Sequence, residues 1–430
     1  MKKLINIFSA ILLLTVAQSF AQERNKRDFY NYRFPDQRAI NIFEPAKDTA
    51  TSFDGLDVRI GGAFALQFQG LDHKSTGEVF ASDGNKVELI EIGKNFNLAT
   101  ANLDLDVMLY DGISMHLRTY LSSRHHPEPY VKGGYIQIDN LNFISEGFLD
   151  NVMKNMRIKI GHMENNYGDA HFRRSDNAMA LYNPFVGNLI MDAFTTEVGA
   201  EIYYFNKGFI GMIGATNGKL NQAVNNPDTT DPSLIAKLGY DKQLDDQLRV
   251  RLTGSLYHTN KSANAYLYGG DRAGSRYYFV MEPEGATSAG NFTSGRFNPG
   301  LRNELTAFMI NPFLKYNGLE FFGTFERASG KANAEADSRS FTQYAAELLY
   351  RFGPSENIYV GGRYNQVSGE MAGGSDIDIT RFNLAAGWFM TKNILTKLEY
   401  VNQKYEGFPK ADLRNGGQFD GIMLEAVISF

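Results

Sequence analysis

Cysteine is absent from this chain. That excludes disulfide frameworks, thiolate metal sites and thiol nucleophiles, and also a lipid-anchored N-terminus, which needs a cysteine just behind a leader. Proline is scarce and tryptophan is limited to Trp388. No apolar run beyond the first twenty residues is long enough to cross a bilayer as a helix. Charge of one sign is not in excess: the net value is −5, which argues against nucleic acid as a partner. No G-x-S-x-G occurs, and no Ser–His–acid set stands out, so an outer-membrane hydrolase is a lesser alternative and the chain reads as a non-enzyme. His125-His126 and the set His162, Glu164, Asp169 and His171 have weak spacing for a metal; neither a metal site nor a cofactor is expected.

What is present begins with a leader. Lys2 and Lys3 precede a mainly apolar stretch, Leu4 to Val16, followed by Ser19-Phe20-Ala21. This is the pattern of a secretory signal peptide over 1–21. Removing the two lysines takes the net charge from −5 to −7. Residues 22–55 are polar, with "ERNKRD" and "RFPDQRAINIFEPAKD", and read as a loosely ordered N-terminal arm.

From residue 56 to 430 the pattern changes to period two. In "FNLATANLDLDVMLY" (96–110), Ala101, Leu103, Leu105, Val107 and Leu109 share one face, and Asn102, Asp104 and Asp106 the other. "LRVRLTGSLYH" and "RFNLAAGWFM" alternate in the same way. Successive strand side chains point to opposite faces, so each segment has one greasy and one polar face. Sixteen such segments can be placed. The connections after odd-numbered segments are mostly long, with 70–95, 164–194, 218–232 and 260–302 the largest. Those after even-numbered segments are mostly tight, as at Asp111-Gly112 and Asn317-Gly318, which are hairpin-turn residues. An even strand count with short turns on one side and long loops on the other is the layout of an outer-membrane barrel.

The fold expected is therefore all-β: a transmembrane antiparallel β-barrel of about 16 strands with short periplasmic turns and long extracellular loops. In lipid every backbone N–H and C=O must be paired within the protein, so the sheet must close. The terminal "GIMLEAVISF" is then the closing strand, with Ile422, Leu424, Ala426, Ile428 and Phe430 facing lipid. It also resembles the C-terminal signal read by the barrel-assembly machinery. One feature opposes the scheme: Pro312 falls inside the tenth strand, where it cannot donate to the ladder, so a bulge or local break is expected.

A barrel of this size encloses a water-filled channel, and passive diffusion of small polar or charged solutes is the function expected. Polar faces place Arg118, Arg157, Lys159, Arg249, Arg251, Asp104 and Asp106 on the pore wall. Bases and acids nearly balance, so counting does not choose between anions and cations. The third loop, 164–194, is too long for a plain connection. Its back half is apolar and suits packing against the inner wall. Its front half, with His171, Arg173, Arg174, Asp169 and Asp176, is expected to project into the bore and form the constriction and solute-binding site. A barrel plugged by its own loops, with a structural or adhesive role, is the alternative, and the 260–302 connection is a candidate plug.

The segment "RIKIGHMENNYGDAHFRR" resembles the strand-into-loop segment of the phosphate-selective porin O and P family of Gram-negative bacteria. The match lies in Gly161, Met163, Tyr167 and Gly168. The resemblance implies an outer-membrane porin and a homotrimer with membrane lipid around it. The family's phosphate preference does not carry over, since this wall mixes acids among its bases and has no lysine cluster, and anions such as phosphate stay one option among the solutes.

Overall fold

A computed structural model describes residues 32–47, 53–122, 130–176, 178–269, 276–288, 290–291 and 295–430. The leader and His125-His126 lie outside them. The chain forms sixteen strands: β1 (Asp57–Lys74), β2 (Asn95–Tyr110), β3 (Ile113–Ser122), β4 (Tyr130–Ile138), β5 (Met156–Glu164), β6 (Thr196–Asn206), β7 (Phe209–Thr216), β8 (Ser233–Gln243), β9 (Leu248–Thr259), β10 (Glu304–Tyr316), β11 (Leu319–Lys331), β12 (Arg339–Phe352), β13 (Ile358–Glu370), β14 (Asp376–Thr391), β15 (Ile394–Glu406) and β16 (Gln418–Ser429). Each pairs antiparallel with its sequence neighbours, and β1 pairs with β16, so the barrel is closed.

The closing seam runs from Ala63↔Ser429 to Lys74↔Gln418. Phe430 continues it: its N–H donates to the Gly62 carbonyl and Gly62 N–H donates back, both at 3.0 Å. The side-chain alternation follows the sequence pattern. Ile422, Leu424 and Phe430 are exposed on the outer face, whereas Met423, Glu425 and Val427 are buried inside. Phe382, Leu384, Trp388 and Met390 likewise point outward from β14. The backbone is paired round the ring and the greasy face points outward, as hydrocarbon requires.

At Pro312 the ladder towards β11 lacks two pairs, yet the register either side is unchanged, from Ile310↔Phe325 to Phe313↔Phe322. There is a local break and no bulge. Two features explain this. Gly323 lies opposite, where a Cβ would meet the proline ring at 2.8 Å. The Asn311 side-chain amide donates to the Gly323 carbonyl at 3.1 Å, supplying a donor where proline has none.

The inside is not a wide wet bore. The third loop, much of the fifth connection (260–302) and residues 32–47 all pack within the ring. Val186, Ile190 and Met191 of the third loop, Val280 of the fifth connection and Leu305, Phe341 and Val367 of the wall share one buried apolar cluster. The expectation of a loosely ordered arm does not hold for 32–47, because specific bonds tie it into the lumen.

Candidate functional site

The arm crosses the tight-turn end of the bore. At one side Gln37 N–H donates to the Lys392 carbonyl at 2.8 Å in the β14–β15 turn. At the other, the Lys47 ammonium donates to the carbonyls of Asp139, Met153 and Met156. These belong to the β4–β5 connection and the start of β5. Between the two anchors, Asn41 donates to Glu320 at 2.7 Å and its oxygen accepts from Arg173. Phe43 is enclosed by the rings of Phe172, Phe313 and Phe322. Glu44 accepts from Arg251 at 2.7 Å, Lys237 at 3.0 Å and Asn166 at 3.0 Å.

The third loop is held against β12–β15 by its backbone. The Val186 N–H donates to Glu399, Ile190 N–H to Asn365 and Met191 N–H to Gln343. In the other direction Arg363 donates to the Gly187 carbonyl, Arg381 to Asn188, Lys397 to Ala180 and Phe185, and Tyr359 to Pro184. A non-helical, non-sheet segment must find partners for each buried peptide group, and here the wall side chains supply them. Two wall carboxylates also join the third loop to the fifth connection. Glu326 accepts from Tyr167 and Tyr268. Glu399 accepts from Val186 N–H and Tyr277.

The predicted constriction residues are all buried, and they do not gather into one ring. Asp169 faces β8 and β9, accepting from Arg251, Thr253 and Lys237. His171 bonds Glu164 and Asn166. Arg173 turns to the wall, 2.8 Å from Glu320 and 3.1 Å from Glu347. Arg174 turns back into its own loop, to Asp192 at 2.6 Å and Asp176 at 3.0 Å. Asp176 also pairs with Lys132 of β4 at 3.1 Å. The two adjacent arginines point to different partners, His171 lines the remaining cavity, and Asp169, Arg173, Arg174 and Asp176 each sit in a buried ion pair. The low-dielectric packing that makes an unpaired charge costly is the reason.

The wall residues divide into two kinds. On β2 and β3 the register sets Asp104 opposite Arg118 and Asp106 opposite His116. The first pair is bidentate at 2.6 Å and the second bonds at 2.6 Å. Arg157 pairs with Asp139 at 2.9 Å and donates to the Pro45 carbonyl. The Lys159 ammonium lies 4.2 Å from the centre of the Tyr135 ring. Arg249 pairs with Asp241, and Arg251 bridges Asp241, Asp169 and Glu44. A cavity of about 180 Å³ remains beside β2–β5. The arm closes it through Arg33, Phe43 and Glu44, the third loop through His171, Met179 and Tyr182, and the wall through Asp104, Asp106, His116, Arg118, Lys159 and others. Among the described residues no three His, Asp or Glu side chains gather at metal-binding distance.

Burial raises the affinity of the Glu44 carboxyl for a proton, but the charges of Arg251 and Lys237 outweigh it and hold the pKa at about 2. The same balance, burial against Arg251 and then Lys237, holds Asp169 well below the usual carboxylate range.

Sequence reasoning missed Asn41, Phe43, Glu44 and Lys47. The available signal was the apolar cluster of Ile40, Ile42 and Phe43 in "AINIFEPAK", which marks the arm as something more than a solvated tail.

No protein-family model matches the chain, and no curated protein matches it by sequence. Solved structures match in shape. An anion-selective porin from Comamonas acidovorans is 10% identical, with a TM-score of 0.54 over 87% of this chain and 100% of that one. The outer-membrane protein OmpT of Vibrio cholerae, in its trimer form, gives 0.52 at 11% identity over 88% and 100%. OprB of Pseudomonas putida gives 0.51 at 11% over 87% and 94%. The fold is that of outer-membrane porins. At these identities the likeness concerns the fold alone.

Proposed function

We propose that this chain is an outer-membrane channel passing small polar and ionic solutes by diffusion along the β2–β5 side of its lumen. The observation that carries the reading is the charged cavity left between the arm, the third loop and β2–β5, inside a closed barrel whose outer face is apolar. In this reading the tight turns face the periplasm, the long loops face outward, and 1–21 is removed on export.

The selectivity proposed is a slight preference for anions, with phosphate one ion within that class. Most cavity charges cancel in pairs, as Asp104 with Arg118 and Asp106 with Arg59 do. Lys159, held over a ring, adds a positive charge to that balance. The anion-selective porin from Comamonas acidovorans is consistent with such a preference on this fold. The role is non-enzymatic in this reading.

Association into a homotrimer is also part of the proposal. Exposed aromatic side chains crowd the outer face of β12–β15, at Tyr344, Tyr350, Tyr364, Phe382, Trp388 and Tyr400. Such rings suit a lipid interface. The outer face of β4–β8 interleaves small residues, Gly134, Ala200, Gly211, Ala215 and Ala236, with exposed aliphatics such as Ile160, Ile213 and Leu238, a surface that suits packing of a second copy. The V. cholerae protein, described in a trimer form, supports the same arrangement. Lipid surrounds the remaining wall, and the β16 strand is the part offered to the assembly machinery.

A second reading, a barrel closed by its own loops, is favoured by the filled lumen on the β8–β16 side. Single-channel recording in a planar bilayer separates the two. The channel reading expects small, steady conductance steps with a reversal potential displaced slightly towards anions in a salt gradient. Silence from folded, heat-modifiable protein supports the closed barrel.

A further inference from the structure

Glu44 lies in a site with the chemistry of a carboxylate receptor. Lys237, Arg251 and Asn166, each almost fully buried, aim their donors at its two oxygens. Without Glu44 the surrounding ion-pair cluster does not balance. Lys237, Arg249 and Arg251 supply three positive charges, and Asp169 and Asp241 supply two negative ones. Glu44 is the third anion. Its neighbour Phe43 fills an adjoining aromatic recess made by Phe172, Phe313 and Phe322, with the Arg251 guanidinium 4.3 Å from its ring centre. The pair Phe43–Glu44 thus presents a carboxylate and an aromatic ring to two matched subsites. It belongs to the segment 32–47, which shares no ladder with any strand.

We propose that this pocket is a solute site for organic carboxylates bearing an aromatic group, and that Phe43–Glu44 occupies it as an internal ligand. The proposal rests on the channel reading. An aromatic carboxylate entering from the tight-turn end competes with the arm: its carboxylate takes the Lys237–Arg251–Asn166 donors and its ring the recess of Phe172, Phe313 and Phe322. Displacement of the arm then widens the path beside β2–β5. A small inorganic anion matches the charge but leaves the recess empty, so it competes poorly.

The test compares the full-length protein with Glu44→Gln and with Glu44→Gln/Phe43→Ala, using sodium phenylacetate, sodium acetate and inorganic phosphate at equal ionic strength. In planar bilayers the double variant is expected to conduct several-fold more than the parent. Phenylacetate is expected to block that current saturably, at concentrations at least ten-fold below those needed for acetate or phosphate. The parent is expected to need far more phenylacetate. Calorimetry in detergent reads the same site without current, with phenylacetate binding tighter to the double variant than to the parent. Equal potency of the three anions overturns the proposal, and so does a freely conducting double variant without saturable block. If neither protein conducts but calorimetry finds the tighter phenylacetate binding, the site stands and the channel reading falls. If the double variant does not fold, Glu44→Gln alone carries the comparison, and unchanged phenylacetate affinity there overturns the proposal.

Discussion

The two sides of the inner wall solve the problem of buried charge differently. On β2–β3, acids and bases stand opposite one another and satisfy each other within the sheet, as Asp104 does with Arg118. That wall has little left to offer an inserted segment, and a cavity stays open beside it. On β12–β15, Gln343, Asn365, Arg381 and Glu399 direct polar atoms at the third loop's peptide groups. That side is filled. A wall that answers itself leaves a cavity, and a wall that needs a partner captures chain.

The largest effect is expected from cutting the captured side at its most charged point. Arg173→Ala leaves Glu320 and Glu347 without a shared cation and removes a donor to Asn41. Breaking a buried ion pair by deleting one partner costs about 3–5 kcal/mol; Glu320 keeps Arg351 and Glu347 keeps Arg363, so a loss near the lower end of that range is expected. Urea unfolding in detergent, followed by the heat-modifiable band shift, should show a loss of that size. Reversing Arg173 should lower the yield of folded barrel rather than tune selectivity.

Asn365→Ala comes next. It strands the Ile190 N–H, which the Asn365 oxygen now accepts at 2.7 Å. A buried donor left without a partner costs about 1–3 kcal/mol. The third loop should loosen locally, read as faster hydrogen exchange at Ile190 and Met191 and as noisier current, with the barrel itself intact.

These two substitutions also show what the sequence made legible. Sixteen strands, their outward faces and the closing seam follow from a period-two pattern that any lipid-facing strand must keep. The pairing of Asp104 with Arg118 also follows once two neighbouring strands are placed in register. The lumen contents do not, because no period links them to their partners. Glu44 meets Arg251 and Lys237 some two hundred positions away, and Ile190 meets Asn365 across a similar span. A near balance of wall charges was legible. That the balance is spent in buried pairs, and not in water, depends on which segments fold inward. The long β4–β5 connection, an exception among the tight turns, becomes intelligible on the same terms: its carbonyls receive Lys47.

On the self-satisfied side a smaller and different response is expected. Asp104→Asn keeps the shape and much of the hydrogen bonding to Arg118, but leaves the guanidinium charge facing the cavity. Reversal potentials should move towards anions by a few-fold in permeability ratio, with a smaller loss of stability than Arg173→Ala. The contrast with Glu347→Gln sharpens the comparison. That substitution, on the captured side, should lower stability and leave the reversal potential where it was.

The smallest effect is a pH response confined to an unusual window. Glu44 sits between the two sides, facing Lys237, Arg251, Asn166 and Asp169, with Asp241 and Arg249 behind and His171 bonded to the same Asn166. Its docked pKa is about 2, below the ordinary glutamate value of 4.5. A carboxyl whose pKa is lowered by docking adds to the stability of the docked state wherever it is ionised in both states. That contribution is complete above about 4.5 and is lost as pH falls towards 2. Subtracting the conductance of Glu44→Gln from that of the parent isolates this group from the others around it. The difference should be flat from pH 7 to about 4.5 and shrink below that. A difference that instead changes between pH 7 and 5 means that the arm is held there by some charge other than Glu44.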